Sequence, residues 1–194
     1  MRILNGRVVK LRKELSALTR ANADLYIFLG GPRIPLRDVE EVLKKPFYIV
    51  TGKYDDIYVA KSTRATGRSL DAHVITLDQY TLAGINGVDP HYCISRVAEL
   101  LHSMSSSNVL IFSCMPALGY CDTVDRLNIR VGLPELTEFI SNVKPRLFVS
   151  LGSRDCVEFY GSTQLAVMSK HTKHLDVDLN PLDLPSHNPG VFTV

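Results

Sequence analysis

Lys53, Tyr54, Asp55 and Asp56 follow Thr51-Gly52 directly, at the end of the apolar run Phe47–Val50. Strand, glycine turn, polar cluster is how an α/β chain places reactive groups, because ligands bind beyond the carboxyl ends of strands. Three other apolar runs end in the same manner, at Gly30-Gly31, at residues 113–116 and at residues 152–155. Convergence of these loops would gather the cations Arg33, Lys53 and Arg154, the carboxylates of Asp55, Asp56 and Asp155, and the thiol of Cys114. Two arrangements suit the cations. In one, they join the backbone N–H groups of Gly30-Gly31 and Gly52 in a metal-free anion pocket for a nucleotide or phosphate-bearing partner. In the other, they pair with Asp55, Asp56 and Asp155 as a structural ion network; outside both, they are unrelated and exposed to solvent.

The thiols offer three readings. Cys114, Cys156, Asp55 and Asp155 are of the right types for a thiolate–carboxylate zinc site. Cys114 is also a candidate nucleophile, with Lys53 lowering its pKa. The plainest reading makes these cysteines small buried hydrophobes. His171 and His174, spaced i, i+3, are a weak metal signal. Residues 103–108, SMSSSN, lack the GxxxxGK[ST] pattern of a phosphate loop. Residues 120–132 carry Asp122, Asp125, Arg126 and Arg130 in a long connection that reads as a binding lid or as decoration.

These loops need a scaffold, and apolar periodicity supplies one. Val8, Leu11, Leu15 and Leu18 predict a first helix, and ADLYIFLGG a buried strand. PLRDVEEVLKK is amphipathic, with Leu36, Val39 and Leu43 inward, and PFYIVTG is the next strand. DIYVAKSTRATG predicts a helix stopped by Gly67. HVITLDQYTLAGING predicts two strands about a turn near Asp78-Gln79. PHYCISRVAELLHSM opens on a helix-compatible proline and repeats Ile94, Val97, Leu101 and Met104. NVLIFSCMP and PRLFVSLGSRD are buried strands running into loops. Between them, VGLPELTEFISNV sets Leu133, Leu136, Ile140 and Val143 on one helical side. CVEFYGSTQLAVMS predicts a hairpin about Gly161-Ser162. Alternation of strands and helices implies parallel pairing with helical cover.

The chain has 194 residues, 45% hydrophobic and 22% charged, with formal net charge +2, so residues 1–194 are expected to form a single α/β domain. That charge neither requires nor excludes a nucleic-acid complex. No uninterrupted apolar run suits a membrane span, and the opening lacks a signal-peptide pattern. The four cysteines form no CxxC pair. The expectation is a reduced, cytoplasmic protein without a disulfide framework.

The order of these segments, across nearly the whole chain, resembles the calcineurin-like metallophosphoesterases, and LAGINGVDP and NPGVFTV resemble that family's mid-chain turn and late strand. The resemblance implies two mixed β-sheets packed as a sandwich flanked by helices, the metallophosphoesterase-like four-layer fold. It also implies where the metal ligands would stand, and there the chain departs. Asn5-Gly6-Arg7 replaces the family's Asp-x-His. Gly31 stands for the metal-bridging aspartate, Lys53 for the asparagine and Tyr54 for the catalytic histidine, while Asp55 matches the acidic end of that motif. Cys114 stands for a strand-end histidine, and Ser153 and Asp155 for the closing pair of histidines. An ammonium about 4 Å from a divalent cation costs roughly 8 kcal/mol at an effective dielectric near 20. The resemblance therefore implies a catalytically inactive member with no catalytic residue, metal or other cofactor. Its expected role is an accessory or interaction subunit bound to another protein chain, to a second copy of itself or within a nucleic-acid complex. The alternatives are a phosphoesterase with a rebuilt site using Asp55, Asp155 and Cys114, or a metal-free phosphate or nucleotide sensor using Arg33, Lys53 and Arg154.

Overall fold

The computed structural model describes residues 2–6, 23–104, 108–124, 129–169 and 173–176. The helix expected about Val8–Leu18, the closing NPGVFTV and His171 lie outside the described residues.

The strands in chain order are β1 (Arg2–Gly6), β2 (Leu25–Leu29), β3 (Phe47–Val50), β4 (Val74–Leu77), β5 (Tyr80–Ile85) and β6 (Val109–Ser113). They continue with β7 (Thr123–Val124), β8 (Ile129–Arg130), β9 (Leu147–Leu151), β10 (Cys156–Tyr160), β11 (Thr163–Met168) and β12 (Lys173–Asp176). The helices are α1 (Leu36–Leu43), α2 (Ile57–Ala65), α3 (Pro90–His102) and α4 (Pro134–Val143). Every strand and helix expected within the described residues is found.

The result is a mixed α/β fold. A six-stranded sheet runs β10-β11-β9-β6-β5-β4. Its inner strands β11, β9, β6 and β5 are parallel, and its edges β10 and β4 pair antiparallel through hairpins. Gly161 (φ 59°) and Asp78 (φ 53°) supply the left-handed residues of those two turns. A second sheet runs β12-β1-β2-β3, with β1, β2 and β3 parallel and β12 antiparallel to β1. His174 lies on β12, in register with Leu4 of β1. β7 and β8 pair by themselves within the long connection after β6.

Alternation along the strands sorts side chains into separate cores, because successive residues point to opposite faces. Leu25, Ile27 and Leu29 of β2 and Val50 of β3 cluster with Leu82, Leu110, Phe112, Leu147, Val149 and Ala166 from the six-stranded sheet. The opposite face of β2 and β3, Tyr26, Phe28, Phe47 and Ile49, packs with Val39 and Leu43 of α1. The opposite face of the six-stranded sheet, including Ala83, Ile111 and Phe148, packs with Cys93, Val97 and Leu101 of α3 and Leu136, Phe139 and Ile140 of α4.

Local chemistry sets the helix ends. The Asp56 carboxylate caps α2 by accepting from Tyr58 N, and Asp89 caps α3 by accepting from Tyr92 N. The apolar stripe of α3 differs from expectation at its end. The helix stops at His102, Met104 lies beyond it and is exposed, and Cys93 completes the buried face.

Candidate functional site

The loops after β2, β3, β5 and β6 meet at the carboxyl ends of their strands. Their backbones approach closely, and at Gly87 the approach leaves no space for a side chain. A Cβ at Gly87, after β5, would stand 2.7 Å from Lys53 N and 3.3 Å from Cys114 Cβ. A Cβ at Gly52 would stand 3.4 Å from Gly30 Cα. Gly87 N donates to Thr51 O at 2.9 Å, and Cys114 N to Ile85 O at 3.1 Å.

Asp55 lies at the centre of this contact. Its Oδ2 accepts from Gly31 N at 2.5 Å and from Gly52 N at 2.7 Å. One carboxylate oxygen thus joins the loops after β2 and β3 through backbone donors aimed at a negative charge. This corrects the expectation that the glycine amides are free for a phosphate: Gly31 N and Gly52 N serve Asp55, and Gly30 N donates to Val50 O at 2.8 Å. It also removes Asp55 from the expected ion network, as the N-cap role does for Asp56. At Gly31, where the family resemblance places a bridging aspartate, an added Cβ would overlap Val59 Cγ1 and stand 3.2 Å from Asp55 Oδ2. A carboxylate has no room there.

The cations lie outside this knot. Lys53 is exposed, with its Nζ 5.9 Å from the Tyr54 ring centre. Arg33 is exposed and, with Arg37, Asp56 and Tyr58, borders a groove of about 690 Å³ between the residues before α1 and the face of α2. Arg154 belongs to the loop after β9, which is secured elsewhere: Ser153 Oγ donates to Thr123 O at 2.6 Å, and Asp155 Oδ1 accepts from Ser169 N at 2.7 Å.

The expected zinc set is dispersed. Cys114 is half-buried, and its thiol donates to Val50 O at 3.3 Å. Cys156 is bonded to Cys121, 35 residues earlier, with Cα atoms 6.0 Å apart. The expectation of no disulfide is overturned here. The cysteines lack a short spacing motif, but the connection after β6 returns to the start of β10. Cys93 is the core thiol, and burial pushes its pKa up to about 11.

Two residues with no evident sequence signal complete the site. Asp71, 3% exposed, accepts from Thr51 N at 2.8 Å and Thr51 Oγ1 at 2.5 Å, and the Asn86 side chain also bonds to it. Burial raises its pKa above 3.8, against the lowering effects of Thr51, Asn86 and the charge of Arg64. Asn86 Oδ1 accepts from Val88 N at 3.1 Å and Asp89 N at 2.8 Å, shaping the turn into α3. Asp71 and Asn86 together brace the loops after β3 and β5 from behind.

Several large apolar side chains near the starts of α2 and α3 are exposed, among exposed Lys53, Asp56, Asp89 and His91. Tyr54 is 90% exposed, Ile57 69%, Tyr58 74%, Val88 64% and Tyr92 60%. The close approach of Gly87 to Lys53 sets the backbone of the loop before α3 beside that of the loop before α2.

No protein-family model matches the chain, and no curated protein does. Solved structures do. TT1561 of Thermus thermophilus is 16% identical with a TM-score of 0.68, over 90% of this chain and 93% of that one. Another crystal structure is 13% identical with a TM-score of 0.73, over 90% and 94% of the two chains. GAP50, the anchor in the inner membrane complex of Plasmodium, is 11% identical with a TM-score of 0.56, over 86% of this chain and 70% of that one. At these identities the likeness establishes the fold alone.

Proposed function

We propose that this chain is a catalytically silent relative of the calcineurin-like metallophosphoesterases that acts as an interaction subunit for another protein. Its four-layer arrangement, helices outside two facing sheets, is part of that reading and draws support from the three sorted cores. The carrying observation is the pairing of Asp55 with Gly31 and Gly52. Two-metal ester hydrolysis needs carboxylates and imidazoles that hold two cations about 4 Å apart. The residues present do not fit that group. Asp55 faces amide donors, Gly31 has no space for a bridging carboxylate, and Cys114 addresses a carbonyl.

The exposed side chains support a binding role. Exposed tyrosines such as Tyr54, Tyr58 and Tyr92 are of the residue type enriched as anchors at protein interfaces. Arg33 and Asp56 border the groove that Tyr58 lines, Lys53 is exposed beside Tyr54, and Arg37 pairs with Asp38 at 3.8 Å. Exposed Arg33 and Lys53 suit a different chain whose apolar anchor is ringed by carboxylates. GAP50, described as an anchor, offers an analogy of role.

The metal-free reading is tested on the chain with its disulfide closed. After incubation with manganese and zinc and dialysis, elemental analysis should find no stoichiometric metal. An aryl phosphodiester should hydrolyse at the background rate. Two retained metals, with turnover lost in Asp55→Ala, would overturn the reading. For the partner, peptides selected from a displayed library should carry Asp or Glu around Leu or Phe. Their binding should fall at least tenfold in Tyr58→Ser/Arg33→Glu. A basic consensus, or binding indifferent to that variant, would refute the acidic-partner assignment.

A further inference from the structure

Away from the strand-end knot, Cys121, Cys156 and Glu158 bring their ligand atoms within 4.8 Å of one another. Cys121 is buried, while Cys156 and Glu158 are half-buried. Glu158 Oε1 lies 3.7 Å from Cys156 Sγ. Tetrahedral zinc holds sulfur at about 2.3 Å and carboxylate oxygen at about 2.0–2.2 Å, so its sulfur–oxygen edges are roughly 3.5 Å. The observed separation is close to that edge. Opening the disulfide to a metal-bridged pair requires the sulfurs to part from a bond of about 2.05 Å to an edge of roughly 3.8 Å. That change is within the reach of side-chain rotation.

The location gives the site a task. Cys121 belongs to the long connection after β6, and Cys156 begins the edge strand β10. Ser153 Oγ holds the same connection through Thr123 O, and a Cβ at Gly152 would stand 3.7 Å from Cys121 O. The cysteine pair is the covalent member of this clasp. Cutting it frees two thiols and leaves a carboxylate beside them.

We infer that Cys121, Cys156 and Glu158 form a zinc-type metal site when the disulfide is reduced, so that a thiophilic divalent cation replaces the covalent clasp. The exchange is balanced by a dithiol reductant. Its two electrons convert the disulfide to two thiols, and it leaves as its own disulfide. The cation then displaces both thiol protons to solvent and accepts two thiolates and the Glu158 carboxylate, with the fourth position open to water. The site does not depend on the silent strand-end loops or on their function.

The test is cobalt titration of the full chain, reduced with a dithiol and desalted without oxygen. One cobalt per chain should bind, with thiolate-to-metal charge-transfer absorption and the visible bands of four-coordinate geometry. The oxidised chain should show neither. Cys114→Ser should titrate like the parent. Cys156→Ser should lose at least half the charge-transfer intensity. Glu158→Gln, which leaves both thiols and the disulfide-forming pair intact, should keep that absorption but bind about tenfold or more weakly, at least the loss expected of a supporting group. Zinc should raise the melting temperature of the reduced chain and leave that of the oxidised chain unchanged. Absence of cobalt absorption in the reduced parent would overturn the inference. So would full absorption in Cys156→Ser, or unchanged affinity in Glu158→Gln.

Discussion

Asp55 Oδ2 accepts the N–H of Gly31 at 2.5 Å across 24 residues of chain. The same oxygen takes Gly52 N at 2.7 Å, so one negative charge fastens two strand-end loops. Removing it leaves two partly buried donors without an acceptor. Asp55→Ala is therefore expected to lose about 2–3 kcal/mol in urea unfolding, the range for hydrogen bonds to a charged group. Asp55→Asn retains an oxygen acceptor and should lose about half as much. Equal losses for the two variants would show that the carboxylate charge is not what holds Gly31.

Gly31 is predicted to reject any side chain for a nameable reason. An added Cβ meets Val59 Cγ1, a branched atom on α2 with little freedom to retreat. Gly31→Ala should cost about 1–3 kcal/mol by overpacking. Val59→Ala should relieve part of that cost, giving a coupling of about 1 kcal/mol in a double-mutant cycle. Gly31→Asp should be worse than Gly31→Ala, because its carboxylate would crowd Asp55 Oδ2. Strict additivity of Gly31→Ala and Val59→Ala would refute the steric account.

Asp71 predicts a direction of pH dependence. Burial raises its carboxyl pKa in the folded chain above 3.8. The folded state therefore holds a proton that the unfolded chain has released. Stability from this group is fully present below 3.8 and falls as pH rises to the folded value, after which it is level. Asp71→Asn preserves the shape and an acceptor for Thr51 N, and should remove that fall. Unfolding free energy of the two proteins, compared from the acid side to neutrality, measures the difference. A parallel pair of profiles would show that Asp71 is not the group responsible.

Much of the scaffold is legible residue by residue. Asp78 and Gly161 mark turns because few residues tolerate positive φ, whereas the capping roles of Asp56 and Asp89 emerge only in the structure. The alternation of Leu25, Ile27 and Leu29 with Tyr26 and Phe28 foretells a strand buried on both faces, which is what the two adjoining cores require. The site is less legible. Gly31, Lys53, Tyr54 and Asp55 stand out by type and position. Yet the same residues serve an anion pocket or a knot of glycine amides, and spacing does not choose between them.

The sequence by itself determined the main strands, helices and turns among the described residues, because each rests on contacts among near neighbours and on the period of the apolar residues. It also determined that the strand-end loops at residues 30–33, 52–56, 113–116 and 152–155 carry no histidine. Only the tertiary structure decided that Asp55 turns to Gly31 and Gly52, that Asp71 braces Thr51, and that Cys121 meets Cys156. Each of those is a meeting of groups far apart in the chain. Its energy depends on distances of a few ångströms that are set only after the sheets, helices and loops have packed.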